Sequence, residues 1–218
     1  PGLGSLTEIL AARAKKVIAV EKDRELIAGL QEKLRNYKNV EIIQGDILKR
    51  GLRLPKNYKI VANIPYYITS RFLRLFLTQT KFRPKLMVLM VQKEVAERIC
   101  ARPPRMSLLA LSVQAYAEPE IIRRVSKNFF SPPPKVDSAV VEFKISDSCR
   151  FPILHRPTFE TVVRAAFGQR RKTIMNALKG GGLEENRISE ALKEAGVSPM
   201  ARAETVSIDQ FTKIARKL

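Results

Sequence analysis

Histidine is almost missing from the 218 residues, His155 being the single one. That excludes a His-rich metal site and leaves a Ser-His-Asp triad no second imidazole to choose from, so His155 reads as a junction residue. Cysteine is as scarce. Cys100 and Cys149 lie far apart without CxxC spacing, so neither a disulfide framework nor a zinc site is indicated, and a reducing cytoplasm is the expected setting. No apolar run approaches the roughly eighteen residues of a membrane span, and nothing at the start resembles a signal peptide. The start also lacks Met: Pro1-Gly2-Leu3-Gly4 opens directly on a glycine turn, and the expectation is a fragment whose preceding strand lies upstream. Acids are few, 21 against 40 Lys and Arg, a formal charge of +19 with pI near 10.3. Such an excess favours a polyanionic partner, nucleic acid first; the alternative is a basic but otherwise ordinary soluble protein, because charge speaks to association rather than fold.

What is present suffices for a core, since 45% of residues are hydrophobic. Gly2 and Gly4 precede Ser5 to Ala14, where Leu6, Ile9, Leu10 and Ala14 recur at helical spacing. Glycines there let backbone approach a ligand, though the third glycine of a dinucleotide fingerprint is absent. Val17 to Val20 reads as a buried parallel strand ending in Glu21-Lys22-Asp23. Glu21 either accepts both hydroxyls of a ribose or is a solvated acid opening the next helix, Asp23 to Leu34. Val40 to Gln44 is the next strand, closed by Gly45-Asp46-Ile47. Asp46 is placed to accept from an adenine amino group with Ile47 beside the ring, but a Gly-Asp turn without a ligand is as common.

Ile60, Val61 and Ala62 read as a buried strand that Pro65 stops, so Asn63-Ile64-Pro65-Tyr66 presents an amide, a turn and an aromatic face where a strand opens into a loop. Open α/β sheets bind ligands there; a plain capped strand end is the alternative. Tyr67 reads as packing. Further elements are a helix from 70 to 77, a strand from 86 to 91, helices over 92–100 and 108–115, and an antiparallel pair at 120–125 and 136–145. Between that pair three prolines extend the loop Asn128 to Ser138, with Phe129 assigned to the core. The pattern predicts an α/β doubly wound sheet over 1–150 and a small helical domain over 151–218 with helices at 158–167, 171–178, 184–195 and 208–218. Arg170, Arg171 and Lys172 place three cations at a helix start, against the dipole preference, which reads either as a phosphate contact or as a solvated face.

The stretches PGLGSLTE, VIAVEKD, VEIIQGDIL, VANIPYY, FFSPPPKVDSAVV and FGQRRKTIMNAL together resemble the KsgA-type ribosomal RNA small-subunit adenine dimethyltransferases, relatives of the Erm enzymes that modify large-subunit RNA. Arg202 to Thr205 supports the KsgA branch. The resemblance implies a Rossmann-like class I methyltransferase sheet with a C-terminal all-helical RNA-binding domain. It implies S-adenosylmethionine as cofactor and two methyl groups placed on N6 of each of two adjacent adenines in a hairpin loop. Gly2 and Gly4 would then approach the methionine part, Glu21 would hold the ribose hydroxyls and Asp46 the adenine amino group, with Lys22, Ile47 and Asn63 also at the cofactor. Asn63 and the Ile64 carbonyl would accept from the target amino group, Pro65 fixing the turn, while Tyr66 stacks on the flipped base and Phe130 closes its other side. Arg170, Arg171 and Lys172 would contact RNA.

The partner implied is small-subunit ribosomal RNA or the immature small subunit, bound by a cytoplasmic monomer with no metal and no membrane. The alternatives are a non-catalytic assembly factor and an Erm-type enzyme. The family carries a central strand ahead of the PGLG turn, so a gap is expected between the strands at 17 and 59, with weakened cofactor binding by this chain alone. Arg102 to Met106 stands where the family has a glycine-containing turn.

Overall fold

The computed structural model describes residues 1–49, 54–145, 156–169 and 171–218. His155 and Cys149 fall outside them. The chain runs α1 (Ser5–Ala11), β1 (Val17–Glu21), α2 (Arg24–Leu34), β2 (Val40–Gln44), β3 (Lys59–Asn63), α3 (Thr69–Arg74), β4 (Leu86–Gln92), α4 (Lys93–Ile99), α5 (Leu108–Gln114), β5 (Ala117–Val125) and β6 (Ser138–Ile145). Four helices follow: α6 (Arg156–Gly168), α7 (Ile174–Gly180), α8 (Glu185–Glu194) and α9 (Ile208–Lys217). Among the described residues no helix is long and apolar enough to cross a membrane.

The strands form two sheets. β1 and β2 pair in parallel, and a second sheet has the order β3-β4-β6-β5, with β3 and β4 parallel and β6 antiparallel to both its neighbours. The strands at 17 and 59 do not pair, so β1 and β3 each keep one unpaired edge among the described residues. This corrects the expectation that both are buried. Ala19 alone is buried in β1, and Val61 in β3 is 37% exposed, because a strand bonded on one side only is covered on one side only. β4, flanked by β3 and β6, shows what full flanking does: Met87, Leu89 and Val91 are fully buried.

Local chemistry sets the helix ends. Asp23 accepts from the Glu25 N–H at 3.0 Å and starts α2. Ser207 and Gln210 exchange side-chain to backbone bonds of 3.2 and 3.0 Å, a capping box that opens α9. From there Ile208, Phe211, Thr212, Ile214 and Ala215 fall on one buried face at helical spacing. In α1, by contrast, Thr7 and Ala11 make the buried face, while Leu6 and Ile9 are exposed, contrary to the spacing argument. The left-handed Gly4 at its N-terminus, φ 81°, turns the helix so that Gly4 itself abuts Leu30 of α2.

The buried residues of β4, β6, α3 and α5 and those of α6 to α9 form one hydrophobic cluster, from Ile64 to Ala215. The link between α4 and α5 is pinned from within: the buried Gln114 amide donates to the Ile99 and Ala101 carbonyls, each at 2.9 Å. In the following turn Met106 N–H donates to the Glu204 carbonyl at 2.9 Å, tying Arg102 to Met106 to the C-terminal helices.

Phe211 is fully buried, so Phe211→Ala should lower unfolding free energy by about 3–5 kcal/mol, read by denaturant titration. Gly4→Ala should cost about 1–2 kcal/mol through its left-handed backbone. A Gly4→Ala midpoint equal to wild type would rule out that backbone demand.

Candidate active site

The first half of the site stands at the C-terminal ends of β1 and β2, where parallel pairing sets Glu21 opposite Gln44. Glu21 is the last residue of β1, and its carboxylate is held by backbone: Oε2 accepts the Gly2 N–H at 3.0 Å and Oε1 the Asp23 N–H at 2.9 Å. Gly2 reaches this position with a positive φ of 58°. Burial pushes the Glu21 carboxyl up, while the Asp23 and Gly2 N–H groups that it accepts from work the other way, and its pKa lies below the ordinary value. A carboxylate has about four acceptor positions, so two N–H donors leave room for a pair of ligand hydroxyls.

Asp46 sits in the turn after β2. Its Oδ1 accepts the Leu48 N–H at 2.9 Å and its Oδ2 meets Lys22 Nζ at 3.3 Å. The Leu48 N–H, helped by Lys22 and Lys49, overcomes partial desolvation and sets this carboxyl below its ordinary value too. The Gly45 N–H bonds the Glu21 carbonyl at 2.7 Å, locking the two strand ends together. Ile47, half-buried, packs with Leu48 on the cluster that contains Ile64. Gly2, Glu21, Lys22 and Asp46 are thus joined by direct bonds, while Gly4 serves the packing of α1 on α2.

The second half stands at the end of β3. Asn63 is exposed, and its side chain has no hydrogen-bond partner among the described residues. Ile64 is buried at 6% exposure and anchors the turn in the core. Pro65 ends the strand, and its carbonyl accepts the Ile68 N–H at 3.1 Å, opening the short helical turn Tyr66–Ile68; the bonds that close this turn do not use the Ile64 carbonyl. Tyr66 is half-buried, its hydroxyl 2.7 Å from Ser138 Oγ at the start of β6. Tyr67, expected to pack, is 84% exposed, because neighbours in so tight a turn point to different sides. No hydrogen bond or ion pair among the described residues joins Asn63–Tyr66 to the Glu21 and Asp46 group.

Phe130 is half-buried in the loop before β6. Phe129, assigned to the core from sequence, is 83% exposed: Ser126 and Asp137 fix the turn Lys127–Phe129 beyond the end of β5 and aim it outward. Arg170 lies outside the described residues. Arg171 and Lys172 are exposed and border an open cup of about 660 Å³ with Phe167, Gly168 and Gln169. They precede α7 rather than start it, since Thr173 caps that helix by accepting from the Asn176 N–H at 3.4 Å. Sequence reasoning missed Ser138, fully buried beneath Tyr66, and Asp137, whose Oδ1 accepts the Lys127 N–H at 3.1 Å while its carbonyl accepts from Lys93 N–H at 3.0 Å. The available signal was two small polar residues directly ahead of an alternating strand.

The family model for ribosomal RNA adenine dimethylase matches residues 1–218. Ribosomal RNA small subunit methyltransferase A of Dehalococcoides mccartyi strain CBDB1 is 46% identical, over 98% of this chain and 75% of its own length. The protein of the same description from Moorella thermoacetica is 46% identical over 100% of this chain and 80% of its own. Among solved structures, the 23S rRNA methyltransferase ErmE superposes with a TM-score of 0.83 at 28% identity, covering 100% of this chain and 88% of that one. A dimethyladenosine transferase from Plasmodium falciparum gives 0.80 at 26% identity, covering 98% and 85%.

Because the Glu21 pKa is depressed, its stabilisation is complete above the unfolded carboxylate range, about pH 4, and is lost as pH falls through the lower folded value. Glu21→Gln should therefore lose stability less steeply than wild type between about pH 4.5 and 2. Equal slopes in acid unfolding would show that the carboxylate is not so held.

Proposed function

The chain belongs to the ribosomal RNA adenine dimethylase family, and from that premise we propose that it transfers methyl groups from S-adenosylmethionine to N6 of two adjacent adenines in small-subunit ribosomal RNA. It is an S-adenosylmethionine-dependent methyltransferase with the Rossmann-like fold of that class. The observation that carries the reading is the strand-end pair of Asn63, free of side-chain partners, and Tyr66, tied down by Ser138. The higher identity to small subunit methyltransferases than to ErmE supports the small subunit as target.

The donor set suits the cofactor. Glu21, kept anionic by backbone N–H groups, would hold ribose hydroxyls, with Gly2 beside it. Asp46, also anionic, would take the adenine amino group, with Ile47 against the ring; Lys22 holds Asp46 in place, and Gly4 sets the turn that carries Gly2. When bound, S-adenosylmethionine supplies an electrophilic methyl on a sulfonium leaving group.

The protein's own task is to present a poor nucleophile, an amino group whose lone pair is delocalised into the base. Asn63 Oδ1 and the Ile64 carbonyl accept its two N–H bonds, which favours a pyramidal nitrogen with its lone pair turned towards the methyl donor. Tyr66 offers its ring to one face of the flipped adenine and Phe130 closes the other, a contact of about 1–3 kcal/mol per base. In-line displacement then needs positioning more than a strong base, and the proton leaves to solvent after the new bond forms.

Arg170, Arg171 and Lys172 contact RNA phosphates in this reading, within a helical RNA-binding region at 151–218. In this reading the protein acts as a cytoplasmic monomer without a resident metal or membrane attachment.

Intact protein with labelled S-adenosylmethionine should label immature small subunits at adenine. Asn63→Ala should lower transfer at least about 100-fold, the scale of a lost positioning contact, while RNA affinity stays within twofold. Wild-type transfer by that variant would remove Asn63 from the mechanism.

A further inference from the structure

Between Ile121 and Val136 the sequence carries four cations, Arg123, Arg124, Lys127 and Lys135, and no acid. The fold sets them on an outer edge, since β5 bonds to β6 on one side only among the described residues. Charge is segregated along that strand. Its first half holds Glu118 and Glu120, the latter 3.8 Å from Lys144, whereas Arg123 and Arg124 stand towards the end where Val125 lies opposite Ser138. A register shift between Ile121 and Arg123 leaves Ile122 unpaired and 52% exposed.

The turn that follows is rigidly directed. Ser126 Oγ accepts the Asn128 N–H at 3.3 Å and Asp137 accepts the Lys127 N–H, so the exposure of Phe129 is built into the backbone. All four cations are exposed and none has an ion pair among the described residues. Lys127 and Lys135 border a shallow groove of about 400 Å³ that Lys93, Glu94, Glu97 and Asp137 also line.

An aromatic face amid unpaired cations is the chemistry of single-stranded nucleic acid recognition, stacking for a base and charge for its backbone. Its place names the strand. Ser138, opposite Val125, is the residue that bonds Tyr66, so the strip leads straight into the target-base turn.

We propose that the C-terminal half of β5 and the turn after it receive the unpaired RNA flanking the target adenine, Phe129 stacking on a neighbouring base while Arg123, Arg124, Lys127 and Lys135 contact phosphates. This rests on the adenine-methylating reading and assigns its substrate path.

The test is binding of a short hairpin RNA by the intact protein across a salt series, together with methyl transfer and S-adenosylmethionine affinity. Phe129→Ala should weaken RNA binding about tenfold, and Phe129→Tyr should restore it. Lys127→Gln with Lys135→Gln should reduce the slope of log affinity against log salt by roughly 1.4, about 0.7 for each lost phosphate contact. Cofactor affinity should not change in any of them, and neither should Phe129→Ala affect binding to a fully paired duplex. Methyl transfer with wild-type RNA affinity and salt slope in these variants would overturn the strip and leave the enzymatic reading intact. Loss of RNA binding in the variants of a protein that transfers no methyl group would support the strip and overturn that reading. An equal loss on duplex for Phe129→Ala would overturn the stacking role.

Discussion

The hydrogen bond between Tyr66 and Ser138 spans 72 residues of sequence, and the candidate site depends on it. It exists because β6 runs antiparallel to β4 and begins where β3 and β4 end, so a residue late in the chain arrives beside a turn formed early. Ser138 is fully buried, and a buried hydroxyl without a partner is costly, so each hydroxyl satisfies the other. The bond fixes the ring of Tyr66 while Ile64, packed in the core, fixes the backbone next to it. A platform restrained at both ends loses little freedom when a base lands on it, which is what preorganisation means in energetic terms.

Charge is divided between two tasks. The acids at and just past the ends of β1 and β2, Glu21 and Asp46, are tied to backbone N–H groups and so stay ionised. Many other acids meet exposed lysines and arginines, as in Glu8 with Lys33 or Glu194 with Lys217, and such pairs add little stability. Since cations outnumber acids by nineteen, pairing cannot exhaust them, and the surplus repels itself across the folded surface. A polyanion bound along Arg123 to Lys135 relieves that repulsion. The surplus therefore contributes to association what it takes from the stability of the free protein.

Much of this was legible in the sequence, and the misses share a cause. Strand positions and the order of the strand-end motifs follow from local periodicity and turn chemistry. The degree of burial follows less directly, because it depends on how many neighbours a strand acquires: Val17–Val20 and Ile60–Ala62 read as buried runs, but the gap expected between them leaves each with a partner on one side only among the described residues. Phe129 and Tyr67 were assigned to packing by residue type, yet tight turns capped from elsewhere carry both outward. Ser138 carried only the weak signal of a small polar residue where an alternating strand begins, since its role is created by a partner far away in sequence. The helix expected at 171–178 begins at Ile174, three residues later, because Thr173 caps it.

In the proposed mechanism, two methyl transfers to one nitrogen place unequal demands on Asn63 and Ile64. Before the first transfer the amino group offers two N–H bonds to two acceptors; afterwards it carries one methyl and one N–H, so one acceptor must release. The Ile64 carbonyl is fixed by a side chain buried in the core and by the proline turn that follows. Asn63 Oδ1 sits on an exposed side chain with no partner among the described residues, so it can rotate without breaking any bond the fold needs. Rotation about its side chain costs far less than moving the backbone of a strand end. With these roles the carbonyl retains the remaining N–H through the second transfer, and the amide is the group that yields space to the first methyl.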